Sequence, residues 1–254
     1  MKIVIPIQVV PDSVEEIIIN DGENGFDLEE IAWIINEFDD HAIEQGIILK
    51  EKIEAEVVVA AVGGEFADDG LFTAAAKGAD RLIRINVDLA SDEINNHALA
   101  RIFKTLIEEE QPDLILTGVS NYNGFDGAMG ALLAEYLGMP YVGYVSGIDV
   151  EGASASILKD YPGGVKMKYK AELPVVIGIS SSENPPRYVP ISKIRQAMKI
   201  SSVEDQDGDL DLSGGLNINR MYEPEKGGRA EMLSGDLKDI ADRIVEIIKT
   251  WGVI

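Results

Sequence analysis

Leu114-Ile115-Leu116-Thr117-Gly118-Val119-Ser120-Asn121-Tyr122-Asn123-Gly124-Phe125-Asp126-Gly127-Ala128-Met129-Gly130 reads as a strand, a loop of small residues and the opening of a helix. The apolar run is short and continuous rather than alternating, as expected of a strand buried on both faces of a parallel sheet. Equivalent runs stand at residues 3–10, 57–62 and 82–87. Between them lie helix-length segments at 37–52, 66–77, 92–109 and 128–137. The third carries Ile94, Leu99, Ile102, Leu106 and Ile107 on one stripe. Strands alternating with helices over the first 140 residues predict an α/β fold with a doubly wound, mostly parallel sheet.

After Pro140 the pattern changes. Residues 141–150, 165–171 and 175–180 read as further strands, and Pro162-Gly163-Gly164 as a turn. Pro185-Pro186 breaks the chain before a short helix at 192–199. From 201 to 214 there are five acids (Glu204, Asp205, Asp207, Asp209, Asp211) and no base, which predicts a linker or exposed arm. A final amphipathic helix at 236–251 places Ile240, Ile244, Ile247 and Ile248 on one face. The expected organisation is therefore an α/β domain at 1–199 and a C-terminal arm and helix at 200–254. That helix must bury its stripe on a partner subunit or back on its own domain.

Composition narrows the function. Of 254 residues, 46% are hydrophobic and 26% charged, which suits an ordinary buried core. Lys+Arg total 22 against Asp+Glu 45, a formal net charge of −23. Such a surface repels phosphate backbones, so nucleic acid and anionic membranes are poor partners and basic protein patches are better ones. Cys is absent, removing disulfides, thiol nucleophiles and Cys-based metal sites. The start, Met1-Lys2 followed by Ile3-Val4-Ile5-Pro6-Ile7, is too short an apolar run for a signal peptide, and no stretch reaches the roughly 18 apolar residues of a spanning helix. A soluble, cytoplasmic protein is expected.

Little here suits catalysis. The two histidines, His41 and His97, fall inside helix segments, where capping or packing is the commoner role. No Walker sequence, HExxH, GxSxG or strand-following GxGxxG occurs. The aspartates from 205 to 211 lack the Glu at the twelfth position of a calcium loop, where Leu216 stands. No catalytic and no metal-ligating residue is expected. Three strand ends do look built for a ligand: the first running into Gln8-Val9-Val10-Pro11-Asp12, the second into Gly63-Gly64, and the one at Leu114 into the loop quoted above. In open α/β sheets ligands bind beyond the carboxyl ends of strands, where small residues let backbone N–H groups approach phosphate. The Gly124, Gly127, Gly130 spacing serves that purpose or close packing of helix on sheet. Asn36 fits an N-cap, its side-chain oxygen accepting a backbone N–H, or it presents its amide to a base or ribose.

Several stretches together resemble the β subunit of electron transfer flavoprotein. Val4-Ile5-Pro6-Ile7-Gln8-Val9-Val10-Pro11-Asp12-Ser13 looks like that family's opening strand and turn, and Asn36-Glu37-Phe38-Asp39-Asp40-His41-Ala42-Ile43-Glu44 its first helix start. Lys77-Gly78-Ala79-Asp80-Arg81, Pro112-Asp113-Leu114-Ile115-Leu116-Thr117-Gly118, Leu137-Gly138-Met139-Pro140, Leu173-Pro174-Val175-Val176 and Pro186-Arg187-Tyr188 follow in the family's order. Arg220-Met221-Tyr222-Glu223-Pro224-Glu225-Lys226 resembles a tail of the branch that serves trimethylamine dehydrogenase. The matches run from residue 2 to about 248. The resemblance implies a Rossmann-like domain of the adenine nucleotide alpha hydrolase kind, without catalytic turnover of its own. It implies a heterodimer with an α subunit that holds most of the FAD, and a structural AMP in this chain. Electrons would pass from a partner dehydrogenase to a quinone reductase or similar acceptor. Carried over, the AMP pocket falls on Pro6, Asn36, Glu37, Phe38, Asp39, Val62, Ser120, Asn123, Asp126, Gly127, Ala128, Met129, Gly130 and Ala131.

The chain departs from the family's pattern in places. Gln8 replaces a usual Lys, and 119–126 lacks the common R/K-Q-A-I-D-G-D wording. Ser182, Glu183 and Asn184 occupy the dehydrogenase-docking loop, with Glu183 where many members place an aliphatic anchor. The rigid base set by Pro185-Pro186 predicts a projecting, acidic tip that steers toward a basic partner surface. Two other readings compete: an electron-bifurcating variant with a second FAD in place of AMP, and a stand-alone nucleotide-binding module of the universal-stress type.

Overall fold

A computed structural model describes residues 1–252 except 16, 21, 23–24, 28–31, 65, 88–94, 122–123, 125, 217, 225–226 and 229. The chain forms two compact units, Met1–Met221 and Tyr222–Ile254. In chain order the strands are β1 (Lys2–Ile7), β2 (Val9–Pro11), β3 (Trp33–Ile35), β4 (Glu56–Val62), β5 (Arg81–Asn86), β6 (Leu114–Gly118), β7 (Tyr141–Glu151), β8 (Ser154–Tyr161), β9 (Val165–Glu172), β10 (Val175–Ile179) and β11 (Val203–Asp207). The helices are α1 (Glu37–Ile53), α2 (Phe66–Lys77), α3 (Asn96–Glu110), α4 (Met129–Leu137), α5 (Ile191–Ile200) and α6 (Leu237–Thr250).

Nine strands form one sheet in the order β11-β5-β4-β1-β6-β10-β7-β8-β9. Every pairing from β11 to β7 is parallel, and β7/β8 and β8/β9 are antiparallel. The doubly wound, mostly parallel sheet read from the sequence is therefore present. Its alternation works as the continuous apolar runs require. Ile3, Ile5 and Ile7 of β1 face a core shared with Ile43 and Ile47 of α1 and Leu71 of α2. Val4 faces the opposite core with Phe103 of α3 and Leu133 of α4. Both faces of the strand are dry, so no polar alternation survives in its sequence.

Register places the site. β1 pairs with β4 along its whole length, from Lys2↔Glu56 to Ile7↔Ala61, but with β6 only at Ile3↔Leu114 and Val4↔Ile115. The chain proceeds from β1 to β4 and β5 on one side, and β6 and β10 lie on the other. This is the switch point of the sheet, where the two neighbouring strand ends part and open a crevice.

The acidic stretch after Ser201 differs from expectation. Rather than a linker, it supplies β11, the edge strand beside β5, and it belongs to the first unit. Two arginines on β5 explain this. Arg81 forks between Glu110 and Glu204 (2.8–3.0 Å), and Arg84 between Asp68 and Asp205 (2.8–2.9 Å). The expected boundary at 199/200 thus lies inside the first unit, and the compact division comes after Met221. β8 and the small antiparallel β2/β3 pair add to the strands expected. β7 bends where Tyr144 adopts φ 60°, and its register with β10 shifts there. Left-handed backbone at a non-glycine costs about 1–2 kcal/mol.

In the second unit α6 begins at Asp236, whose carboxylate accepts the N–H groups of Lys238 and Asp239, both at 2.9 Å. Within this unit the helix buries none of its residues, and Leu237, Ile244, Val245 and Trp251 are exposed. Asp236→Ala should cost the helix about 1 kcal/mol. Amide exchange in its first turn should rise severalfold, and unchanged protection at Lys238 and Asp239 would refute the capping role.

Candidate functional site

The crevice between β1 and β6 is built from four segments. Beyond β1, Gln8 turns the chain toward β2. The Asn36 N–H donates to the Gln8 carbonyl at 2.9 Å, which places the start of α1 beside the end of β1. Asp39, in the first turn of α1, is 1% exposed. It ties the strand ends together: Oδ2 accepts the Gln8 N–H at 2.9 Å and Oδ1 accepts the Gly118 N–H at 2.8 Å. Gly118 has to be glycine, because a Cβ there would stand 2.6 Å from Asp39 Oδ1 and 2.7 Å from Phe38 Cβ.

Beyond Gly118 the loop runs to α4. Gly127 has φ 56°, and its N–H donates to the Gly124 carbonyl at 3.3 Å. Asp126 Oδ1 accepts the Ala128 N–H at 3.1 Å and also the Asn96 amide. No side chain caps α4 at Ala128, so its first-turn N–H groups at Met129, Gly130 and Ala131 point outward at the positive end of the helix dipole. Gln8, Asn96, Ser120, Asn121 and Met129 are among the residues that line the crevice. Asn121 is 7% exposed; its amide group donates to Gln8 Oε1, while its own Oδ1 is buried and has no partner among the described residues. A buried acceptor left unmatched costs about 1–3 kcal/mol.

Burial pushes the Asp39 carboxyl up to about 7, against the backbone N–H bonds from Gln8 and Gly118 that favour its charged form. The neighbouring Asp40 pushes in the same direction as burial, and it is itself paired with Lys77 of α2.

The structure gathers the carried-over residues at one end of the sheet. Pro6 is buried in β1 opposite Ala60, and Val62 ends β4. Asn36, Glu37, Phe38 and Asp39 open α1, and Ser120, Asp126, Gly127, Ala128, Met129, Gly130 and Ala131 lead into α4. Asn123 lies outside the described residues. Asn36 corrects one expectation. It occupies the N-cap position without a side-chain capping bond, and its amide donates instead to the Ser120 carbonyl at 2.9 Å. It braces the loop rather than the helix. Asn96 and Asn121 were absent from the expected site. Asn96 reads as one residue of a helix until the fold sets it against Asp126.

The loop at 182–184 is also corrected. It was expected to project with a free acidic tip, and instead it is bonded to α1. The Ser182 N–H reaches His41 Nδ1 at 3.2 Å, and the Glu183 N–H reaches Gln45 Oε1 at 3.1 Å. The Glu183 carboxylate accepts from Lys52 at 2.9 Å, and Lys52 also reaches Asp149 at 3.4 Å. The tip's charge is therefore offset. Since this pair is partly exposed, Lys52→Ala should lower stability by less than about 1 kcal/mol. Its visible effect should be salt-dependent mobility of the Glu183 side chain, read by NMR. A loss above 2 kcal/mol would mean Lys52 does more than hold Glu183.

A model of the electron transfer flavoprotein domain matches residues 25–207. The chain belongs to the electron transfer flavoprotein family. It is 31% identical over 244 residues to the electron transfer flavoprotein subunit beta of Bacillus subtilis (strain 168), covering 94% of each chain. It is 32% identical over 245 residues to the subunit beta of Methylophilus methylotrophus, covering 90% of this chain and 91% of that one. With that of Syntrophomonas wolfei it shares 36% over 170 residues, 66% of each. These relatives are β subunits, and the chain is an electron-transfer subunit of a flavin-associated family. Among the described residues, no helix is long and apolar enough to cross a membrane, and no group of three or more His, Asp or Glu is placed to hold a metal.

Proposed function

We propose that this chain is the β subunit of a heterodimeric, cytoplasmic electron carrier that holds AMP in the β1/β6 crevice. The observation that carries the AMP assignment is the uncapped start of α4 beside the unmatched Asn121 Oδ1. One offers N–H groups to a phosphate, and the other accepts from a base amino group. Gly118 lets the start of α1 pack against the end of β6, and Gly127 holds the left-handed turn that leads into α4. In this reading FAD is held mainly by an α subunit and supplies the redox chemistry. This chain binds AMP, orients its loops and turns over no substrate of its own. The α6 stripe would lie against the α subunit, so truncation after Gly214 should weaken that association. The segment 182–184 would meet the donor dehydrogenase, with a quinone oxidoreductase or similar acceptor downstream.

The test is to co-express the chain with its α partner, denature the purified complex and identify the released nucleotides. One AMP and one FAD per pair is the expected result. Two FAD would select the bifurcating arrangement, and a complex without adenine nucleotide in this chain would overturn the assignment.

A further inference from the structure

We propose that residues 211–214 form a strap that holds one wall of the β1/β6 crevice from outside, with Asn95 and Arg101 as the positioning residues through which it acts. The inference rests on the nucleotide reading and deepens it, by naming what the nucleotide site depends on beyond its own lining.

The strap comes from the stretch whose acids and lack of bases suggested a linker. After β11 the Gly208 N–H donates to the Asn86 carbonyl at 2.7 Å, and Leu210 packs against the core that holds Phe103 of α3 and Leu133 of α4. The four residues that follow lie outside any strand, so no ladder serves their carbonyls. Two side chains take them instead. Arg101 Nη2 donates to the carbonyls of Asp211 and Ser213 at 2.5 and 2.6 Å, and Asn95 Nδ2 donates to those of Leu212 and Gly214 at 3.1 and 3.0 Å. Four successive backbone acceptors are thereby satisfied from the start of α3. The grip is on backbone, with one ion pair added between Arg101 Nε and Asp211 Oδ2 at 3.3 Å.

Both gripping residues also belong to the structure behind the crevice. Asn95 is the N-cap of α3, and its Oδ1 accepts the Ala98 N–H at 3.0 Å. The next residue, Asn96, is buried, lines the crevice and donates to Asp126. Asp126 in turn accepts the Ala128 N–H at 3.1 Å, at the opening of α4. Arg101 Nη1 donates to Tyr136 Oη in the last turn of α4 at 3.2 Å, and His97 Nδ1 lies 2.9 Å from the same oxygen. α4 is therefore fastened at both ends to the first two turns of α3, and those turns are what the strap grips. Lifting the strap takes two acceptors from Asn95 and two from Arg101. Asn96 then loses the fixed neighbour that holds it against Asp126, and the turn into α4 loses its brace. The free N–H groups of α4 begin there, which is where the nucleotide reading places the phosphate.

Asn95→Asp separates the strap from the helix cap. The carboxylate still accepts the Ala98 N–H, but it turns an acceptor toward the Leu212 and Gly214 carbonyls where the amide donated. The strap should lift while α3 stays capped. In calorimetric titration of the full nucleotide-free chain, AMP should bind about tenfold more weakly, the scale of coupling carried by residues that touch no ligand. Amide exchange should quicken at Ser213 and also at Ala128, with the strands of the sheet unchanged. Linkage is reciprocal, so AMP added to wild type should slow exchange at Ser213. Arg101→Ala should weaken AMP in the same way and serves if Asn95→Asp fails to fold. The double variant should lose less than the product of the two single losses, because both release one strap. Faster exchange at Ser213 with AMP affinity and Ala128 exchange at wild-type values would overturn this proposal alone. Unchanged exchange at Ser213 in both single variants would overturn it as well, since the strap would then be held by something else. Failure of wild type to bind AMP overturns the nucleotide reading with it.

Discussion

Gly118→Val is expected to abolish AMP uptake and to lower the stability of the first unit by about 3 kcal/mol, the upper range for an overpacked site. The added Cβ alone would stand 2.6 Å from Asp39 Oδ1, 2.7 Å from Phe38 Cβ and 2.9 Å from the Asp39 backbone nitrogen. Two of these atoms belong to the rigid first turn of α1, so no swing of a flexible side chain relieves the clash. Parting the strand end from the helix also breaks the Gly118 N–H bond to Asp39 and leaves a buried carboxylate with one donor fewer. Urea unfolding reads the first effect and nucleotide analysis of the purified protein reads the second. A Gly118→Val protein with wild-type stability and full AMP content would show that the crevice is not formed as described.

Arg187→Ala is the second large effect, about 3 kcal/mol, and it acts through Glu44 of α1. Glu44 lies on α1 with its side chain 4% exposed. Its carboxylate is met by Arg187 Nε and Nη2 at 2.9–3.1 Å, while Arg187 Nη1 reaches Glu51 at 2.9 Å. Removing the guanidinium leaves Glu44 with the Arg187 backbone N–H, which survives the substitution. Breaking a buried pair typically costs about 3–5 kcal/mol, and the partial exposure of Arg187 sets the lower figure. In a unit of this size that corresponds to a fall in Tm of about 6–12 °C. Arg187→Lys should recover little, because a lysine cannot reproduce the planar fork. A shift under about 2 °C for Arg187→Ala would mean that the segment joining β10 to α5 is held by something else.

What could be read in advance follows from where each residue's neighbours lie. β1, β4, β6 and β10 are buried on both faces, and their sequences are apolar apart from Lys2, Glu56 and Thr117. β11 is an edge strand whose acids answer Arg81 and Arg84 more than a hundred residues earlier, and in isolation Val203-Glu204-Asp205-Gln206-Asp207 has the composition of a linker. β8 alternates, but its Ser154-Ala155-Ser156 start hides the pattern. In the sequence the candidate crevice was marked by its glycines, and Asp39 entered it only through the family resemblance. The roles of Asn36, Asn96 and Asn121 were not legible there, because an amide's partner is chosen by tertiary placement. The same holds for Glu183, whose sign suggested attraction to a basic partner until Lys52 of α1 was found beside it.

The nine-stranded sheet is charged in opposite senses at its two margins. β11 carries Glu204, Asp205 and Asp207 and no base of its own, the first two paired with Arg81 and Arg84 of β5, whereas β9 carries Lys166, Lys168 and Lys170 against one acid, Glu172. Charged residues on a bare margin discourage another copy from adding its own strand there. Here the protection is selective. Two acidic margins repel and two basic margins repel, but an acidic margin attracts a basic one. Any stacking of copies through this sheet would therefore run head to tail, an arrangement that does not close on itself, and would dissolve as salt screens the attraction.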